Sequence, residues 1–174
     1  MNQESVAYSG VIPEKVLTSL PGVPSAERLE LGPVACIECS QQIPCNPCEE
    51  ACPQHAITVG AAITALPVLD ENLCNGCGLC ITRCPGLAIF NVHRNFSEST
   101  ALVSFPYEYD PLPVQDSAVR CGGRDGGYLT MGTVRRVLTH PTFDKTAIVT
   151  VEIPKEFCMS VRTLCRAGGL TDGI

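Results

Sequence analysis

The stretch Cys74-Asn-Gly-Cys77-Gly-Leu-Cys80-Ile-Thr-Arg-Cys84-Pro85 decides the reading of this chain. It is an unbroken C-x2-C-x2-C-x3-C-P run, a spacing that can hold a cubane iron–sulfur cluster. Three thiolates on a tight loop reach three irons of one cubane. Small Gly76 and Gly78 let the backbone come close. A short helix then carries the fourth thiolate away, and Pro85 ends it. A zinc site can use the same ligand types. One C-x2-C pair would leave that open, but the full run, repeated, favours iron–sulfur.

Working outward, the run has a copy. A shift of 32 residues lays Cys45, Cys48, Cys52, Pro53, Ala56 and Ile57 on Cys77, Cys80, Cys84, Pro85, Ala88 and Ile89. Two copies imply two metal sites related by a pseudo-two-fold axis. The copy has one flaw: Gln42 stands where the counterpart of Cys74 belongs. The missing ligand comes from upstream, where Cys39 and Cys36 stand. Cys39 is preferred because it closes the shorter loop, and a few added loop residues cost little closure entropy. With the fourth cysteine of each run ligating the other cluster, cluster one takes Cys39, Cys45, Cys48 and Cys84. Cluster two takes Cys52, Cys74, Cys77 and Cys80. Each of the two [4Fe–4S] clusters then has four thiolates and no open iron, which suits electron exchange rather than Lewis-acid catalysis. No catalytic residue is expected.

Composition narrows the remaining classes. The 174 residues carry a net charge of −6 and no Trp. Phosphate binding needs clustered Lys and Arg, so nucleic acid is not an expected partner; the doublet Arg135–Arg136 reads as a solvated face. Val59 to Leu69, the longest apolar run, is far short of the ~20 residues of a membrane span. Glu4 and Pro13 fall where an export signal would need basic and apolar segments, so the expected location is the cytoplasm. Reduced cytosolic thiols make metal binding the better account of 12 cysteines than a disulfide framework. Cys36, Cys121, Cys158 and Cys165 remain, without metal-ligand spacing, and read as small buried hydrophobes. His55 follows Pro53 and could tune a cluster, although the bland reading leads. Glu38, Glu49, Glu50, Asp70 and Glu71 crowd the cluster segment, as a docking face for a basic partner or as a solvated rim; with anionic cubanes they favour low potentials.

The expected fold class is α+β. Residues 1–35, rich in Pro and Gly, form an N-terminal docking arm with a short helix over Glu14 to Leu20. Residues 36–94 form the dicluster domain, with a polar linker over 91–100. Residues 95–174 form a small antiparallel β unit, with strands at Ala101–Phe105, Gly132–Leu138 and Thr146–Ile153 and turns between them. Glu156 to Leu164 is read as a last short helix, and Gly168 to Ile174 as a frayed end.

Through these motifs, residues 36–92 resemble the two-[4Fe–4S] bacterial ferredoxin family, which implies two short hairpins and two short helices around the clusters. A narrower resemblance rests on Val34-Ala35-Cys36-Ile37-Glu38-Cys39, Ile43-Pro44-Cys45-Asn46-Pro47-Cys48-Glu49, Ala65-Leu66-Pro67-Val68-Leu69-Asp70 and Phe143-Asp144-Lys145-Thr146-Ala147-Ile148-Val149-Thr150-Val151. These look like small iron–sulfur subunits of heteromeric flavin-dependent sarcosine, proline, hydroxyproline and opine dehydrogenases. That resemblance implies larger flavin-binding partner subunits carrying FAD or FMN, and NAD sites there too, with this chain as the relay. It also puts Cys39 in the family's Glu-Cys position. The alternatives are a free soluble ferredoxin and a binding module with structural clusters.

Overall fold

The computed structural model describes residues 6–165, so the expectation for Gly168 to Ile174 lies outside the described residues. Short helical turns lead: α1 (Val6–Ser9), α2 (Glu14–Leu17) and α3 (Ala26–Leu29). Then come β1 (Val34–Ile37), α4 (Pro47–Glu50), β2 (Ile57–Thr58), β3 (Val68–Leu69), a 3-10 turn at Ile81–Arg83 and β4 (Ile89–His93). The rest is β5 (Thr100–Tyr107), β6 (Ala118–Gly122), β7 (Tyr128–Leu138), β8 (Ala147–Pro154) and β9 (Thr163–Leu164).

Seven strands make one antiparallel sheet in the order β1-β4-β5-β8-β7-β6-β9, and β2 and β3 form a separate hairpin. The core follows from period-two alternation. Ala101, Val103 and Phe105 of β5 and Val149, Val151 and Ile153 of β8 point to one face and are buried. The register from Thr100↔Pro154 to Tyr107↔Ala147 aligns them. All four residues of β1 are buried, and Ile81 from the 3-10 turn belongs to the same core.

Several expectations are corrected. The α+β class is corrected in its proportions: no helix exceeds four residues among those described, and the structure is mostly antiparallel sheet. Residues 91–100 are not a linker but the end of β4, a turn and the start of β5. Asn91, Val92 and His93 pair with Ser104, Val103 and Leu102. The 94/95 boundary thus falls in a turn between paired strands of one sheet. The expected helix over Glu156 to Leu164 is a 3-10 turn at Lys155–Phe157 followed by β9, which pairs with β6. Leu17, Leu20 and Leu29 of the N-terminal segment are buried in the chain's own core. Ile37 N–H donates to Gly22 O at 2.8 Å, and Leu69 N–H to Pro21 O at 3.1 Å. This segment therefore packs on its own chain.

Arg135 bonds Glu152 at 2.6 Å and Asp116 at 3.4 Å, as suits a solvated face. Among the described residues no helix is long and apolar enough to cross a membrane.

Candidate metal centre

The eight candidate ligands divide between two cavities. One is lined by Cys39, Cys45, Cys48 and Cys84, the other by Cys52, Cys74, Cys77 and Cys80. Each repeat therefore sends its last cysteine to the other cavity. In the first copy α4 does this: Pro47 opens it at a position suited to the fixed proline φ, Cys48 lies beside Pro47 in its first turn, and Cys52 follows its end. In the second copy the 3-10 turn at Ile81–Arg83 separates Cys80 from Cys84.

Local backbone explains how the second loop closes. Gly76 (φ +68°) and Gly78 (φ +79°) sit in the left-handed region that favours glycine. A Cβ on Gly76 would come within 2.6 Å of Pro33 Cβ and 2.7 Å of its backbone. Cys77 N–H donates to Asn75 Oδ1 at 3.1 Å, and Asn91 Nδ2 donates to Gly76 O. Arg28, which the sequence did not single out, ties the loop from outside: its guanidinium donates to Cys74 O (2.7 Å), Glu71 O (2.7 Å), Pro33 O (3.1 Å) and Gly32 O (3.2 Å). Ser25 caps α3 and donates through its N–H and hydroxyl to the Glu71 carboxylate, both at 2.7 Å.

The sulfurs have the surroundings of cluster ligands. Backbone N–H groups of Ala35, Ala56 and Ala88 donate to Cys74, Cys52 and Cys84 Sγ at 3.4, 3.3 and 3.5 Å. Such bonds favour a thiolate. All twelve cysteines are free of disulfides. Burial pushes the Cys80 thiol up to about 12, and Cys74, Cys77 and Cys52 push it further the same way. Burial likewise raises Cys48 to about 11, with Cys84 and Cys45 adding to it. Cys39 is raised too, by burial first and then by Cys84 and Cys45. In the metal-free chain these thiols therefore hold their protons, and metal binding would release them. Among the described residues, no three His, Cys, Asp or Glu side chains converge as ligands of one metal ion. A cubane makes no such demand, since its four thiolates bind four different irons. The donor set and its spacing thus fit [4Fe–4S] clusters.

Cys36 lies elsewhere. It is fully buried on β1 opposite Phe90, with Sγ 3.8 Å from both Glu38 Oε1 and Arg162 Nη2. Burial pushes its thiol up to about 12. Cys121 and Cys158 are buried and Cys165 is half-buried.

Glu38 departs from the expected rim. It is buried and accepts from Arg124 Nε (2.7 Å) and Nη2 (2.6 Å) and from Arg162 Nε (2.7 Å). Burial pushes its carboxyl up, but the Arg124 hydrogen bonds and the Arg162 charge outweigh that and hold it below the usual range. Arg162 also lies over the Phe90 ring, 4.8 Å from its centroid. Sequence spacing missed this group because its members are far apart in the chain.

Residues 67–90 match the 4Fe-4S binding domain model. This segment is therefore an iron–sulfur domain of ferredoxin type. The chain is similar to an uncharacterized ferredoxin of Methanocaldococcus jannaschii, 37% identical over 62 residues, covering 36% of each chain. It is similar to the ferredoxin-type protein NapF of Escherichia coli, 37% identical over 51 residues, 28% of this chain and 31% of that one. A third relative is the polyferredoxin-like subunit of an aliphatic sulfonate oxidoreductase of Pyrococcus furiosus, 39% identical over 54 residues, 31% of this chain and 28% of that one. The chain thus spans about a third of the length of the curated relatives it matches. No solved structure matches.

Proposed function

We propose that this chain is the electron-transfer subunit of a multi-subunit, flavin-dependent amine or amino-acid dehydrogenase. One observation carries the electron-transfer part of this reading: two cavities, each lined by four thiols, joined by the exchange of Cys52 and Cys84 between the repeats. Filled with [4Fe–4S] clusters, they would accept and release one electron at a time. Cys39, Cys45, Cys48 and Cys84 hold the first, and Cys52, Cys74, Cys77 and Cys80 the second. Complete thiolate sets leave no position for substrate, so conversion belongs to a partner. Cys77 is the one exposed cysteine among the described residues, which places its loop at the surface open to a docked protein.

The flavin partners follow from the resemblance of the Glu38-Cys39, Pro44-Cys45 and Phe143–Val151 segments to dehydrogenase subunits. The polyferredoxin-like oxidoreductase subunit among the relatives agrees with service inside a complex. The chain's pull-down at native expression level, with flavin analysis of what co-elutes, tests this. Larger chains carrying FAD or FMN are expected; a lone, cluster-filled monomer would overturn the complex and favour a free carrier.

A further inference from the structure

The Glu38 clamp invites a question that stability does not answer. Three charges are withdrawn from water at one point: the side chains of Glu38 and Arg162 are 4% and 3% exposed, and that of Arg124 is 18% exposed. Such a cluster is a poor way to hold a fold together, because desolvation cancels most of the attraction and apolar packing commonly does as well. Its location is more informative. Glu38 precedes Cys39 and lines the cavity of the first four thiols. Its N–H donates to Ala88 O at 2.8 Å, and Ala88 lines the same cavity. The arginines arrive from the C-terminal half and are aimed by backbone: Arg124 donates to Met159 O at 2.7 Å, and Arg162 to Val161 O at 2.6 Å and Cys158 O at 3.0 Å.

Two guanidinium groups are thus held against the carboxylate of Glu38, a residue lining this cavity, in surroundings where screening is weak. Both arginines, Glu38, Glu108 and Asp125 line a neighbouring groove, where Glu108 accepts from Thr146 Oγ1 and Asp125 from Gly127 N–H. At the other cavity Arg28 donates to the backbone oxygens of Cys74 and Glu71, and Asp70 is exposed.

We infer that Arg124 and Arg162, clamped on Glu38, are positioning residues that raise the reduction potential of the cluster held by Cys39, Cys45, Cys48 and Cys84. This rests on the two-cluster reading above. Reduction adds one electron, hence one negative charge, to that site, and a fixed positive charge next to it favours the reduced state. The C-terminal half is then part of the redox centre, through two side chains, and biases where the electron rests.

The test is an EPR-monitored redox titration of the iron-loaded full chain, with dithionite as electron donor. Cys39→Ser identifies the signal of the first cluster. Arg124→Gln, which leaves Arg162 on Glu38, should lower that cluster's potential, and Glu38→Gln should raise it. Arg124→Lys should stay near wild type, and the second cluster should move in none of them. Shifts of the same sign in both variants, equal shifts at both clusters, or none at all would overturn the inference. If Arg124→Gln fails to fill, the sign of the Glu38→Gln shift decides. If neither holds iron, the clamp is structural and the inference falls. A wild-type iron and sulfide content short of two clusters overturns the reading of the site; a full content with unmoved potentials overturns this inference alone.

Discussion

At the scale of single residues, the ambiguous ligand is settled by exchanging two cysteines three positions apart. Cys39 follows the end of β1 and lines a cavity with three other thiols, whereas Cys36 is within the strand, against Glu38 and Arg162. Cys39→Ser should therefore lose about half the iron and one of two EPR signals, since each cluster needs its thiolate set. Cys36→Ser should keep all the iron and lower only the melting temperature, because a hydroxyl replaces a buried sulfur in a packed strand. Iron and sulfide analysis separates the two, and the reverse pattern would reassign the ligand. Cysteine spacing singled out the eight thiols that the fold gathers into two cavities, because that spacing is written locally, in runs of two and three residues. The Glu38 clamp was not legible, since its hydrogen bonds join positions 86 and 124 residues apart.

Whole elements were legible where alternation was strong. The apolar beats of Ala101–Val103–Phe105 and Val149–Val151–Ile153 mark β5 and β8, and both form. β6 was missed because its exposed positions dilute the pattern; it is held by β7 on one side and β9 on the other. The helix read over Glu156 to Leu164 lost to that same edge. A helix of two turns is marginal alone, whereas Arg162 and Cys165 N–H find Gly122 O and Arg120 O at 2.9 and 2.8 Å. Two glycines test how elements meet. Gly132→Ala would put a Cβ 2.8 Å from Cys121 Sγ and 2.9 Å from Ile153 Cγ2; such overpacking should cost ~1–3 kcal/mol in urea denaturation, with iron content unchanged. Gly76→Ala meets Pro33 backbone at a positive φ. It should empty the site of Cys52, Cys74, Cys77 and Cys80 and spare the other, read by iron content and EPR.

For the molecule as a whole, filling the thiol sites should reverse the direction in which pH acts on stability. In the metal-free chain, burial raises Cys36, Cys80 and Cys121 to about 12 and Cys48 to about 11, from an ordinary 9.0. A thiol whose value rises on folding holds its proton more tightly in the folded state. Its contribution is therefore complete below pH 9 and drains away as pH climbs from 9 towards 12. Stripped of iron, the chain should melt at progressively lower temperature above pH 9, and hardly change between pH 6 and 8. Loaded, the ligating thiols are already thiolates, and protonation competes with metal; the loss should then come on the acid side, with bleaching of the cluster absorbance at the same pH as the melt. The coupling should reach the whole sheet, because β1, which lines both cavities, and β4, which lines the first, are hydrogen-bonded into it through β5. Thermal melts of the stripped and loaded chain across pH 5–11, followed by far-UV circular dichroism, check this. Parallel pH profiles for the two forms would show that the thiols do not couple metal binding to the fold.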